Sequence, residues 1–166
     1  MGAKVTRYAA QTEVSAARSR DEIERTLRRY GADQFMYGWE SGRAVLGFRM
    51  DGRHVRFVLP MPDRHDREFT HTTGRGSVRS ESAAEKAWEQ ACRQRWRALA
   101  LVVKAKLEAV AAGITEFEDE FLAHIVLPDG TSAGQWLRPQ IERAYNTGEM
   151  PSVLPALTSG QEPPDA

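Results

Sequence analysis

DQFMYGWESGRAVLGFRMDGRHVRFVLP, residues 33 to 60, contains three runs in which apolar and polar side chains alternate: DQFMYGWE, RAVLGFRM and RHVRFVLP. Period-two alternation is the pattern of a strand with one buried face. The runs are joined by Ser41-Gly42 and Asp51-Gly52. Asp-Gly between alternating runs is a strong hairpin signal, because a type I′ turn needs positive φ at both central residues. A two-residue turn also sets the register: Met50 faces Arg53, Arg49 faces His54, Phe48 faces Val55, Gly47 faces Arg56 and Leu46 faces Phe57. Opposed residues share a face of the sheet. One face is then Phe35, Tyr37, Trp39, Ala44, Leu46, Phe48, Val55, Phe57 and Leu59, a core. The other carries Arg43, Arg49, His54 and Arg56, with Met36, Gly38, Val45, Gly47 and Val58 between them.

Upstream of the meander, SRDEIERTLRRYG reads as a helix. Ser19 and Glu22 have capping-box spacing, Ile23, Leu27 and Tyr30 give one apolar face, and Gly31 ends the run. VTRYAAQTEVS before it suggests a short strand. Downstream, MPDRHDREFTHTTGRGSVRSES loses all periodicity for about twenty residues, a length that marks a functional or disordered loop. A long helix then starts at Ser80 or Ser82 and runs to Gly113, with Trp88, Cys92, Leu99, Val103, Leu107 and Val110 as its buried stripe. Thr115 and Glu118 form a second capping box for TEFEDEFLAHIV. Thr131 starts SAGQWLRPQIERAYNTG, which Pro139 is expected to kink or divide. The pattern predicts an α+β fold: N-terminal helix, three-stranded antiparallel β-meander, long loop, long helix, then C-terminal helices. It fits a single domain over residues 1–149, followed by a Pro-rich tail over 150–166 expected to be disordered.

The chain carries no formal net charge, yet its charge is unevenly spread. Residues 43–106 hold 14 basic and seven acidic groups, whereas residues 107–166 hold two basic and ten acidic. The domain thus has a basic part (43–106) and an acidic helical part (107–149), a division that suggests a polyanionic partner or association of opposite surfaces. Nineteen of the 23 basic residues are arginine. That preference fits the codon bias of a GC-rich genome, or bidentate contacts to phosphate. No run reaches 18 apolar residues, so no membrane span is expected. MGAKVTRYAAQTEVS lacks an apolar leader segment and Cys92 has no second cysteine to pair with; both lead to a cytoplasmic expectation.

Enzymatic signatures are weak. His54, Asp63, His65, Asp66 and His71 cluster in sequence, but their spacing fits no familiar metal-ligand pattern. They read as solvated polar residues, with no metal or cofactor expected. Glu116, Glu118, Asp119 and Glu120 resemble the paired carboxylates of two-metal sites, but acids in a first helical turn are what the helix dipole already favours. No nucleophile elbow, P-loop or GxGxxG is present, and GRGS at residues 74–77 is too short for a phosphate loop. Cys92 lies on the core stripe. Trp39, Trp88, Trp96 and Trp136 read as core or interface. What stands out is the basic surface. Arg43, Arg49, His54 and Arg56 on the sheet are extended in sign by Arg64, Arg67, Arg75 and Arg79 in the loop and by Arg93, Arg97 and Lys104 on the long helix. Like charges opposed across strands are unfavourable, and a basic sheet-plus-helix groove is a known way to hold a single strand.

The segments VSAARSRDEIERTLRRYGADQFMYGW, RAVLGFRMDGRHVRFVLPMP, AWEQACRQRWRALALVVKAKLEAV and GEMPSVLP resemble a family of small proteins of tailed phages and prophages. That resemblance implies a phage or mobile-element origin and no particular activity. The arrangement of MYGWE before the hairpin and RWRALALVVKAKLEA in the long helix is similar to the Red-beta/RecT-like single-strand annealing proteins. Those place a helix, a β-meander and a long helix around a basic groove for single strands, and assemble into oligomers. The resulting expectation is a non-enzymatic nucleic-acid-binding protein acting in phage recombination or replication, preferring single-stranded DNA. The alternative is a protein-interaction module whose acidic C-terminal helices engage a recombinase, replication factor or host-defence protein.

Overall fold

A computed structural model describes residues 17–40 and 42–150. The expected strand in VTRYAAQTEVS, residue Ser41 and nearly all of the Pro-rich tail lie outside the described residues. A first helix, α1 (17–29), leads into β1 (Gln34–Glu40), β2 (Arg43–Met50) and β3 (Arg53–Pro60). A short helix α2 (Arg67–Thr70) precedes the long α3 (Glu81–Ala111). Then follow α4 (Phe117–Phe121), a 3-10 turn (Leu122–His124) and α5 (Ala133–Thr147). The α+β architecture is as the sequence pattern predicts. No described helix is long and apolar enough to cross a membrane.

The sheet has strand order β1-β2-β3, antiparallel throughout. Its β2–β3 register is the one the Asp51-Gly52 turn dictates, including Phe48 with Val55 and Gly47 with Arg56. The backbone explains why: φ is +50° at Asp51 and +72° at Gly52, the left-handed pair a type I′ turn requires. Glu40 pairs with Arg43, so β1 and β2 are also joined by two residues.

Alternation decides which side is buried. Ala44, Leu46, Phe48, Val55 and Phe57 form one core with Ile23 and Leu27 of α1, Trp96, Leu99, Val103 and Leu107 of α3, and Phe117 and Phe121 of α4. Phe121 meets Phe48 and Phe57 edge-on at ring separations of 5.8 and 6.3 Å, the geometry aromatic quadrupoles favour. Two expectations need correction. Tyr37 and Trp39 lie on the core side but stay 44% and 42% exposed, because β1 is an edge strand. Trp39 touches Trp96 edge-on, and the guanidinium of Arg20 lies 4.1 Å above the Tyr37 ring. On α3 the buried stripe includes Trp96, fully enclosed and four residues on from Cys92, while Trp88 and Val110 are only half-buried.

Helix ends depart from the expected ones by small steps. The helix α1 is already formed at residue 17, so Ser19 lies inside it and not at its N-cap. Ser80 does cap α3, accepting from the Ala83 amide at 3.3 Å. Thr115 does not cap α4; the N-cap position falls to Glu116, without a side-chain bond. The predicted helix through Val126 stops at Phe121, because Ile125 and Val126 turn extended and join the outer edge of β3. The Val126 amide donates to the His54 carbonyl at 2.8 Å. The capping box of α5 belongs to Ser132 and Gln135, not Thr131, whose hydroxyl and amide bind Asp129. Pro139 neither ends nor divides α5, which runs unbroken through it. The aperiodic stretch 61–80 is built rather than loose: Phe69 is buried, Trp88 Nε1 donates to the Pro62 carbonyl at 2.8 Å, and Arg64 pairs with Glu85.

Candidate nucleic-acid interface

The side of the sheet facing away from the helices presents four rows across β1, β2 and β3. They are Gln34–Arg49–His54, Met36–Gly47–Arg56, Gly38–Val45–Val58 and Glu40–Arg43–Pro60. The two central rows carry two glycines, so the middle of this face is low, with Arg56 at its β3 end the one charged residue in those rows. A groove of about 640 Å³ lies there, floored by Met36, Val45 and Gly47 and bounded by Asp33, His54, Arg56 and Val126. Gly47 keeps the floor low: a Cβ at this position would stand 3.0 Å from Met36 Cγ and push that side chain aside.

Each basic side chain of the sheet has a distinct setting. Arg49 is clamped by Asp33, with Nε to Oδ1 at 2.8 Å and Nη2 to Oδ2 at 2.6 Å. The Arg49 hydrogen bonds hold the Asp33 carboxyl below the usual carboxylate range, and the pair raises the guanidinium in return. Arg49 is therefore charge-balanced by Asp33, and it is Asp33 that lines the groove. Arg56 donates from Nη2 to the Gly130 carbonyl at 2.9 Å, a contact between residues 74 apart that fixes the guanidinium at the β3 side while neutralising none of its charge. Arg43 and His54 are exposed. Beyond Arg56 a smaller cavity of about 250 Å³ continues toward the start of α5, lined by Val58, His124, Gln135 and Arg138. Arg138 lies in the acidic part of the chain, and nothing local in the sequence marked it as a neighbour of Arg56. The α5 helix reaches this position because Gly134 packs against Ala123, where a Cβ would meet the Ala123 carbonyl oxygen at 2.7 Å.

The remaining predicted residues form separate groups. Arg64 donates to both Glu85 carboxylate oxygens at 2.6 and 2.7 Å and stacks over Trp88 at 4.9 Å, which makes it a brace for the loop. Arg67 and Arg75 are exposed in the loop, and Arg79 is half-buried with its amide bonded to the Thr70 carbonyl. Arg93 lies 3.9 Å from Glu89; Arg97 and Lys104 are exposed on the same flank of α3. Because α3 packs on the core side of the sheet, this row is separated from the groove by the whole core. The expected single groove of sheet and helix is thus two surfaces.

The other candidate groups are accounted for structurally. Glu118 pairs with Arg53 at 2.6 Å and Glu120 with Lys106 at 2.8 Å, leaving Glu116 and Asp119 exposed. Among the described residues no three His, Cys, Asp or Glu side chains are arranged to share a metal ion. Burial pushes the Cys92 thiol up to about 11, the condition of an unreactive core cysteine. Compared with protein-family models, curated proteins and solved structures, the chain matches none of them.

Proposed function

We propose that the protein is a non-enzymatic nucleic-acid-binding protein that holds a single strand on the outer face of its sheet. The observation that carries this reading is the groove itself: an uncharged floor of Met36, Val45 and Gly47 flanked by Arg56 and His54. An unstacked base needs a flat apolar surface beside cations that take the phosphate, and only a single strand offers its bases that way. Arg56 and Arg43 are the main phosphate contacts, His54 a further polar contact, and Arg138 extends the cationic side past β3. Arg49 shapes the wall through Asp33 rather than neutralising phosphate. The resemblance to phage proteins and to single-strand annealing proteins would set this activity in recombination or replication. DNA is the strand expected.

Fluorescence anisotropy with labelled single- and double-stranded oligonucleotides over a salt series tests the proposal. Single strands are expected to bind in the micromolar range or tighter, with affinity falling as salt rises. Arg56→Gln with Arg43→Gln weakens binding and lowers the salt slope by about one for each phosphate no longer neutralised. Arg97→Gln leaves both unchanged. Absence of binding at low salt, or equal losses for the sheet and α3 substitutions, would refute the outer-face site.

A further inference from the structure

The two edges of the sheet are treated differently. The outer edge of β3 is covered by Ile125 and Val126, carries Arg53 and Arg56, and ends in Pro60. Charges, proline and a covering segment are the usual means of stopping an edge from pairing further. Among the described residues β1 has no proline and no covering segment. It is seven residues long, pairs with β2 without a bulge, and has one charged residue, Glu40, at its end. Its large side chains are open on both faces: Met36 is 70% exposed on the outer face, and Tyr37 and Trp39 are the half-open aromatics of the inner one.

We propose that β1 pairs antiparallel with β1 of a second copy, on a two-fold axis through Tyr37, to make a continuous six-stranded sheet. The sequence QFMYGWE is complementary to itself in that register. Phe35 opposes the copy's Trp39 on the inner face, and Tyr37 opposes Tyr37, so the open aromatics cover one another. On the outer face Met36 opposes the copy's Gly38. A Cβ at Gly38 would meet nothing within 4 Å, so the space over it is free to take the methionine. Gln34 opposes the copy's Glu40, which already pairs in register with its own Arg43. No like charges meet across the new ladder, a condition that opposed strands must satisfy. The shared sheet also joins two outer faces into one surface, though the pairing does not depend on what that surface binds.

Sedimentation of the full chain at tens of micromolar, with three variants, tests the pairing. The wild type is expected at twice the mass of one chain. Met36→Lys, a change at a site exposed in the single chain, converts it to a monomer that still unfolds cooperatively in urea, at a midpoint no higher than the dimer's. Tyr37→Cys forms an intermolecular disulfide under mild oxidation, because directly opposed antiparallel residues lie within bridging distance. Gly38→Cys, two residues out of register with its own copy, does not. A monomeric wild type would assign the edge to another occupant, whether the chain's own remaining residues or a different protein, and would overturn the proposal. So would a dimer indifferent to Met36→Lys, or a disulfide at 38 in preference to 37.

Discussion

The two faces of the sheet are built from the same strands, residue by alternate residue, and have opposite fates. On β2, Ala44, Leu46, Phe48 and Met50 are buried beneath the helices, while Arg43, Val45 and Arg49 between them keep access to solvent. The inner face is filled by Trp96, Phe121, Ile23 and Leu27, each almost fully enclosed. Among the described residues the outer face is flanked by Asp33 on one side and by the segment from Val126 to the start of α5 on the other, and the groove between them is open. Folding therefore draws on one face nearly completely, since burial of apolar area is its main driving term. The other face is largely free of that demand.

Substitution on either side of β2 should break this symmetry sharply. Phe48→Ala removes a ring enclosed by Phe121 and the α3 stripe and is expected to cost about 3–5 kcal/mol. Arg43→Ala on the opposite side should leave the urea midpoint where it is; a comparable loss there would mean that the outer face is also structural. The hinge that sets which residue goes to which side comes next in size. Gly52→Ala places a side chain at φ +72° and is expected to cost about 1–2 kcal/mol. If its midpoint matched the wild type, the turn would not be what fixes the register.

The smallest effect concerns pH where the faces meet. His124 stacks on Phe57 at 4.0 Å and lines the cavity next to Arg56. Burial, then the nearby Lys106 charge, holds its imidazole below the ordinary histidine value, against an opposing hydrogen bond to the Arg56 backbone. In the unfolded chain the ring takes up a proton near pH 6.5, while the folded protein resists it. Stability from this site is therefore full above that pH and declines as pH falls toward the lowered folded value. Urea midpoints measured from pH 8 to pH 5 should show a decline that His124→Gln reduces; an identical decline in the variant would remove His124 as its source.

Much of this was readable along the chain wherever the cause is local. Asp51-Gly52 set the register because a turn is a property of two residues, and the register sorted every strand side chain onto its face. Of the two serines offered for the start of the long helix, Ser80 is the one that caps it. One failure has its cause in distance. Trp96 and Trp88 both fall near the helical stripe, and only the packed sheet and α1 decide that Trp96 is the enclosed one. Thr131 was expected to start α5, but Asp129 claims the threonine and the cap passes to Ser132. Pro139 looked like a break, but it stands in a helix that carries on past it.

The candidate site divides along the same line. Alternation alone determined that Arg43, Arg49, His54 and Arg56 share a face, because strand geometry sends every second side chain the same way. Tertiary structure decided which of them stays uncompensated. It brings Asp33 onto Arg49, Glu85 onto Arg64, and Gly130 and Arg138 beside Arg56. It also puts the core between the sheet's arginines and those of α3. Charge sign is written in the sequence, but neutralisation depends on a separation of a few ångströms, and that separation exists only after the chain has folded.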